Sequence, residues 1–144
     1  MPIMQLSVCA HNKPGAIIEI THILAEAGVN IRALSLADTA DFGILRLIVN
    51  PTDKAEEVLE DAGYLCQLSP VIAVAMPDKP GGLSHVLSVL SENGINIEYM
   101  YAFVSRRSDD AYMILRPQNC EEAEEVLKNA GEKVLSSNDV EALH

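Results

Sequence analysis

The sequence predicts an α+β protein that consists of one small βαββαβ unit written twice. Two sets of observations support this prediction. The turn Asn12-Lys13-Pro14-Gly15 returns 66 residues later as Asp78-Lys79-Pro80-Gly81, each time between a strand-like apolar run and an amphipathic run. Two further segments return in the same order, Gly28–Ile31 as Gly94–Ile97 and Ala55–Leu59 as Ala123–Leu127. Repeated blocks in a conserved order indicate an internal duplication.

The first half alternates between the two-residue period of strands and the 3.6-residue period of helices. Gly28 suits the left-handed position that follows a helix. Asp53 with Glu56 predicts a capping box at the start of the second helix. The predicted elements are strands over 3–10, 29–37, 42–49 and 64–68 and helices over 16–27 and 53–62, with a turn at 38–41.

The second half repeats this order. The apolar positions of its first helix lie 66 residues after those of the first half, at Leu83, Val86, Val89 and Leu90. Asn119 with Glu122 predicts the cap of its second helix. A longer turn is predicted at 105–110, strands over 71–76, 111–115 and 133–135, and a frayed tail from 138. We therefore expect one domain at 1–69, a second at 70–136 and a C-terminal tail at 137–144.

Composition and charge narrow the classes of function. The chain has 144 residues, of which 49% are hydrophobic, and a net charge of −11. Such a charge repels phosphate backbones and anionic membrane surfaces, so we expect no nucleic-acid or membrane partner. Neither a signal peptide nor an apolar run of about 20 residues is apparent. Three widely spaced cysteines, Cys9, Cys66 and Cys120, favour free thiols in a reducing cytoplasm.

The first helix of each half starts without the Ser, Thr, Asp or Asn that normally accepts the free N–H groups of a helix end. It starts with Pro-Gly, followed by Ala16 or Gly82. Free donors at the positive end of a helix attract a carboxylate or phosphate, and glycine lets a ligand approach the backbone. The alternative is a plain strand-to-helix turn that binds water. Asn12 and Asp78 can each bind an ammonium group, which favours an amino-acid ligand.

The element order, the Asn/Asp-x-Pro-Gly turn and the Gly-Val/Ile-Asn-Ile start of the next strand resemble the ACT domain. This is a small-molecule regulatory module that often senses amino acids. The resemblance covers residues 3–136, so the chain looks like a stand-alone tandem. It implies ferredoxin-like units with strand order 4-1-3-2 and both helices on one face of an antiparallel sheet. It also implies that ACT domains pair side by side through their second strands, which would make one eight-stranded sheet.

In serine-sensing ACT domains, the ligand lies between the first turn of one copy and the start of the second strand of its neighbour. The resemblance therefore implies two sites shared between the halves. One combines Asn12, Gly15 and Ala16 with Asn96, and the other combines Asp78, Gly81 and Gly82 with Asn30. The expected ligand-binding residues are Asn12, Pro14, Gly15, Ala16, Ile17, Asn30, Asp78, Pro80, Gly81, Gly82, Leu83 and Asn96.

The two expected sites are not equal. A charge-assisted hydrogen bond is roughly twice as strong as a neutral one, so Asp78 should bind an ammonium group more tightly than Asn12 does. The family's histidine two residues before the Asn is absent, because Ala10 and Met76 stand there. The resemblance to serine-sensing domains therefore does not identify serine as the ligand.

The rest of the sequence predicts no catalytic residue, metal site or cofactor. The histidines at 11, 22, 85 and 144 show no metal-ligand spacing with each other or with the cysteines. No nucleophile–base group, Walker loop or dinucleotide motif is present. Cys120 stands at a helix start, where a lowered thiol pKa is expected.

Three functions remain open. The first is a non-catalytic amino-acid-binding protein that acts as an allosteric regulator of a metabolic enzyme or of its own oligomer. The second is a constitutive regulatory subunit of an amino-acid biosynthetic enzyme such as acetolactate synthase. The third, an enzyme on the same scaffold, is disfavoured by the missing acid–base cluster. The resemblance and the exposed edge strands favour a homodimer.

Overall fold

The computed structural model describes residues 3–11, 13–38, 42–103 and 110–142. In chain order, the described elements are β1 (Ile3–His11), α1 (Ala16–Glu26), β2 (Asn30–Asp38), β3 (Phe42–Asn50), α2 (Thr52–Asp61), β4 (Leu65–Pro77), α3 (Gly82–Glu92), β5 (Ile97–Phe103), β6 (Asp110–Pro117), α4 (Cys120–Asn129), β7 (Lys133–Leu135) and α5 (Ser137–Ala142). The chain divides into two compact units. The N-terminal unit comprises Met4–Ser69, and the C-terminal unit comprises Ile3 and the described residues from Pro70 onward.

The N-terminal unit is an antiparallel sheet in the strand order β4-β1-β3-β2. Val8 of β1 lies opposite Leu45 of β3, and both side chains are buried. They share a sheet face with the other inward residues and pack against Ile20 of α1 and Leu59 of α2. Burial of each such side chain contributes about 1.5–3 kcal/mol. Both helices are therefore fixed on one face, and the turn between β1 and α1 is held at the end of β1.

The C-terminal unit repeats this arrangement with the order β7-β4-β6-β5. Its core includes Ile72 of β4, Leu115 of β6, Leu90 of α3 and Leu127 of α4. The short strand β7 pairs with the end of β4. This pairing brings the loop between α4 and β7 next to the turn between β4 and α3. The predicted ferredoxin-like units and the 4-1-3-2 order of each are confirmed.

The structure differs from the prediction at the junction of the halves. The sequence predicted a strand on either side of Ser69-Pro70, whereas β4 is one strand of 13 residues. The described residues consequently form seven strands rather than eight. Proline fits an extended strand because it lacks only the N–H donor. The Pro70 carbonyl accepts hydrogen bonds from the Arg116 guanidinium and, at 3.3 Å, from the Cys120 thiol.

Two helix ends also correct the prediction. The expected capping box of α2 is absent, because Pro51 occupies its N-cap and no side chain accepts there. The tail expected to fray contains α5, whose Val140 is buried. Ser136 and Asp139 form reciprocal side-chain to backbone hydrogen bonds at its start, at 2.9 and 3.1 Å. The predicted cap of α4 is confirmed, since Asn119 Oδ1 accepts the Glu122 N–H at 3.1 Å. The predicted turns at 38–41 and 105–110 fall largely outside the described residues.

Candidate ligand site

The two repeated turns place a glycine in the left-handed conformation directly before a helix. Gly15 precedes α1 with a φ of 91°, and Gly81 precedes α3 with a φ of 89°. Residues that carry a Cβ rarely adopt this conformation, so these turns require glycine. Neither helix start has a side-chain cap among the described residues.

Free backbone donors remain at both helix starts. In the part of the chain that the structure describes, two backbone N–H groups of each helix have no acceptor. They are those of Ile17 and Ile18 in α1 and those of Leu83 and Ser84 in α3. The helix dipole adds a partial positive charge at the same place. Each start therefore favours an anionic group such as a carboxylate.

The predicted site residues of the first half surround the first turn, except that Asn12 falls outside the described residues. Three of them are exposed, namely Pro14, Gly15 and Asn30. Two contact the core instead: Ala16 is buried, and Ile17 is half-buried against the hydrophobic cluster.

The predicted site residues of the second half differ in exposure, and only some of them line a cavity. Four of them are exposed, namely Asp78, Pro80, Gly81 and Asn96. Gly82 is buried, and Leu83 packs against the core. One cavity is lined by Pro80, Gly81 and Gly82. Its described lining residues do not include Asp78, Leu83 or Asn96.

This cavity of the C-terminal unit has a volume of about 620 Å³. Small-molecule sites in proteins typically measure about 300–1,000 Å³. The cavity lies between the second turn, the end of β4, the first residue of β6 and the loop from α4 to β7. Its ionisable lining residues are Lys79, His85, Asp110, Glu132 and Lys133. It therefore presents both cationic and anionic groups to the same space.

Two of these lining residues contact each other. His85 Nδ1 lies 2.6 Å from Glu132 Oε1, and the two side chains are 68% and 13% exposed, respectively. The contact joins the first turn of α3 to the loop after α4. It holds the Glu132 carboxylate against a group that can donate a hydrogen bond in either protonation state.

Sequence reasoning missed His85, Asp110, Glu132 and Lys133 as site residues. They come from three separate segments that only the sheet and its helices bring together. One signal was available, because each occupies a position where the two halves differ. At the 66-residue and 68-residue offsets, the first half has Glu19, Phe42, Tyr64 and Leu65 in their places.

The first half connects the same two elements with different chemistry. Tyr64 donates a hydrogen bond to Glu19, and these residues are the counterparts of Glu132 and His85. Partial burial, followed by this hydrogen bond and the Glu19 charge, raises the pKa of Tyr64. Phe42, the counterpart of Asp110, contacts the His11 ring with 5.2 Å between centroids. At these places the first half thus has a Tyr–Glu pair and a Phe–His contact, where the second half has a His–Glu pair and the Asp110 carboxylate.

Gly82 allows α3 to approach β4 closely. A Cβ at this position would lie 2.3 Å from the Pro77 carbonyl oxygen. The first half has Ala16 at the corresponding place, and its methyl group is accommodated in the core. The first turns of the two units therefore differ in backbone spacing as well as in charge.

The cysteine near the start of α4 corrects one prediction. Burial raises the pKa of the Cys120 thiol and outweighs the opposing effect of Arg116, whose Nη1 lies 3.9 Å from the sulfur. A helix start was expected to lower this pKa. Burial also raises the pKa of Cys66, to about 11, and nearby Glu60 and Glu56 add to the shift.

The described residues also lack a cluster of metal ligands and a helix suited to a bilayer. No group of three His, Cys, Asp or Glu side chains within 3–11, 13–38, 42–103 and 110–142 is placed to hold a metal ion. Among the helices of these same ranges, none combines the length and the apolar character needed to cross a bilayer.

The fold defines the chain as a tandem of two ferredoxin-like units, each with a glycine turn before an uncapped helix. Comparison with known families gives the specific assignment. The family model described as an ACT domain pair matches residues 1–143. The chain therefore belongs to the ACT domain pair family, and the resemblance noted in the sequence is confirmed.

Solved structures agree with this assignment. A protein from Bacteroides thetaiotaomicron is 39% identical with a TM-score of 0.91, over 97% of this chain and 96% of that one. The regulatory subunit of aspartate kinase from Thermus thermophilus, in a ligand-free form, is 18% identical with a TM-score of 0.62, over 88% and 91% of the two chains. The regulatory subunit of aspartate kinase from Thermus flavus is also 18% identical, with a TM-score of 0.61, over 90% of this chain and 92% of that one. At this identity the aspartate kinase subunits show a shared fold alone. No curated protein matches the chain significantly.

Proposed function

We propose that this protein is a non-catalytic regulator that binds a free amino acid and transmits the occupancy of its site to a metabolic enzyme or to its own oligomer. The observation that carries the proposal is the cavity beside the second turn, which is lined by the turn residues Pro80, Gly81 and Gly82 and by charged side chains of both signs. The family supports the regulatory role, since ACT domains are small-molecule regulatory modules.

The chemistry of the turn matches that of an α-amino acid. The free N–H groups of Leu83 and Ser84 and the ammonium of Lys79 favour a carboxylate. The carboxylates of Asp78 and Asp110, near the same turn, favour an ammonium group. A zwitterion satisfies both sets, whereas a phosphate satisfies only the first.

The first turn supports the same function with fewer charges. Gly15 and the free donors of α1 can bind a carboxylate, but Phe42 and Leu65 stand at the places of Asp110 and Lys133. The expectation that Asn30 and Asn96 complete the sites of the opposite halves stays a prediction. So does the expectation that the site with Asp78 binds more tightly.

The test is a thermal-shift screen of the full chain against each of the twenty amino acids. A ligand at a hundred times its Kd adds about 2.7 kcal/mol, which raises the melting temperature of a small domain by on the order of 10 °C. We expect such a shift with one amino acid or a few of similar side chain. Melting temperatures that stay within error for all twenty would reject the proposal.

The alternative role is that of a constitutive regulatory subunit of an amino-acid biosynthetic enzyme, such as acetolactate synthase. Its support is that a solved relative of the same fold is a regulatory subunit, of aspartate kinase. A tagged chain isolated from its source should then carry the enzyme at equal stoichiometry even without added amino acid. A sensor that engages its enzyme only when liganded would recover it only in the presence of the amino acid.

The cellular setting belongs to the same proposal. All three cysteines are free thiols, which supports a reducing cytoplasm. The edge strand β2 carries Leu34 and Leu36, both more than half exposed, which supports a homodimer. Light scattering coupled to size-exclusion chromatography distinguishes a dimer near twice 15.6 kDa from a monomer.

A further inference from the structure

We propose that the cavity of the C-terminal unit is a complete amino-acid site within that unit, and that the matching place in the N-terminal unit is not. The carboxylate of the amino acid lies against Lys79, Lys133 and the start of α3, and its ammonium group lies against Asp110. This inference rests on the proposed function and deepens it by locating the site.

Every described residue that lines the cavity belongs to the C-terminal unit. The second turn, the end of β4, the start of β6 and the loop Gly131–Lys133 enclose about 620 Å³. Pairing of Lys133 with Ala75 fixes the loop beside the end of β4. The described cationic and anionic lining residues are therefore all supplied by the C-terminal unit.

The two halves match in their cores but differ around the turn. The helical and strand positions of the core are matched in the two repeats, as the two hydrophobic clusters show. The residues around the turn are not matched: Asp110 and Lys133 replace Phe42 and Leu65. An isolated charge at one of these places would be unremarkable on a surface. A cation and an anion that both line one cavity, and that both replace apolar groups of the other repeat, fit a zwitterionic ligand.

The contact between His85 and Glu132 makes the cavity more favourable for a carboxylate. The Glu132 side chain is only 13% exposed, and an uncompensated carboxylate there would repel the carboxylate of a ligand. His85 binds this carboxylate at 2.6 Å and so neutralises the repulsion when it is protonated, or donates a hydrogen bond when it is neutral. His85 is thus a positioning residue that keeps Glu132 turned toward α3.

The experiment uses calorimetry on the full chain with the amino acid that gives the largest thermal shift. Lys133→Leu installs the residue of the first half, and Asp110→Asn removes the anionic group with little change of shape. Loss of a charged hydrogen-bond partner weakens binding by about ten- to a hundredfold. The matched control is Leu65→Lys, which makes the reverse change in the first half and should leave the Kd within twofold.

A second pair of variants tests the positioning role. His85→Glu with Glu132→Tyr installs the pair of the first half, which the chain already tolerates in the same fold. Glu19→His with Tyr64→Glu makes the reciprocal exchange. We expect the first exchange to weaken binding at least tenfold and the second to leave it unchanged. Far-UV circular dichroism and melting temperature show that each variant is folded. Near-wild-type binding by the first exchange would overturn the role of His85.

The glycine amides locate the ligand directly. In ¹H–¹⁵N spectra of the wild-type chain, the amino acid should shift the amide signals of Gly81, Gly82 and Gly131 and leave those of Gly15 and Gly63 in place. Equal shifts at both sets, or an unchanged Kd in both Lys133→Leu and Asp110→Asn, would overturn this location while the proposed function stands. A wild-type chain that binds none of the twenty amino acids would overturn both.

Discussion

Replacement of Gly82 by alanine tests whether the start of α3 depends on its close approach to β4. The new Cβ would lie 2.3 Å from the Pro77 carbonyl oxygen, and real contacts keep at least 3.0 Å, so the two atoms must separate by about 0.7 Å. The carbonyl is not free to move, because it accepts the Lys79 N–H at 2.9 Å. Movement of α3 would instead disturb the packing of Val86 and Leu90.

The magnitude follows from two opposing effects. An extra methyl group in a packed site costs about 1–3 kcal/mol, and the reduced entropy of the unfolded chain returns about 0.4–1 kcal/mol. We therefore expect Gly82→Ala to lower the free energy of unfolding by about 1–2 kcal/mol. The same shift of the backbone should weaken amino-acid binding, because Pro77 and Gly82 both line the cavity.

Urea unfolding followed by circular dichroism measures the change, and calorimetry measures the binding. Ala16→Gly is the matched control, since it exchanges the same two residues in the first half. It removes a buried methyl group and should cost about 1 kcal/mol without affecting a ligand in the C-terminal cavity. A Gly82→Ala variant as stable as the wild type would show that the contact relaxes at no cost and would refute the reasoning.

Three further changes have expected outcomes. Tyr64→Phe removes the hydrogen bond to Glu19 and should lower the free energy of unfolding by about 0.5–1.5 kcal/mol. Because folding raises the pKa of Tyr64, the difference in free energy of unfolding between wild type and Tyr64→Phe should be full below about pH 10. It should shrink as the pH rises through the folded-state pKa. A difference that stays constant in urea unfolding across this pH range would contradict the prediction. Cys66, with its pKa raised from 9.0 to about 11, should react with iodoacetamide at pH 8 about 100-fold more slowly than in the urea-unfolded chain, and equal rates by mass spectrometry would refute the shift. Asn119→Ala removes the cap of α4 and should cost about 0.5–2 kcal/mol in urea unfolding, whereas Asn129→Ala at the exposed end of the same helix should cost little.

The strongest sequence signals were those set by local chemistry. Glycine in the repeated turn and the absence of a cap at the next helix are properties of a few consecutive residues, and the structure has both. The cap at Asn119 is equally local. The capping box predicted from Asp53 failed because the N-cap is Pro51, two residues earlier, which the spacing of the acidic residues does not reveal.

The thiols illustrate the limit of such reasoning. A helix start lowers a thiol pKa when the sulfur is open to solvent, and Cys120 does occupy a helix start. Its sulfur is instead partly buried against the Pro70 carbonyl, 50 residues away in the chain. Burial depends on which distant segment covers an atom, so the direction of the shift was not available from local sequence.

The sequence by itself determined the duplication, the βαββαβ order and the two glycine turns, because each depends on periodicity and on backbone conformations that only a few residue types adopt. Only the tertiary structure brought Asp110, Glu132 and Lys133 to the second turn. Strand β7 pairs with the end of β4, and this non-local hydrogen bonding positions a loop more than 50 residues further along the chain. The repeats share the turn, but the charges that distinguish them come from segments that the sheet, rather than the sequence, places beside it.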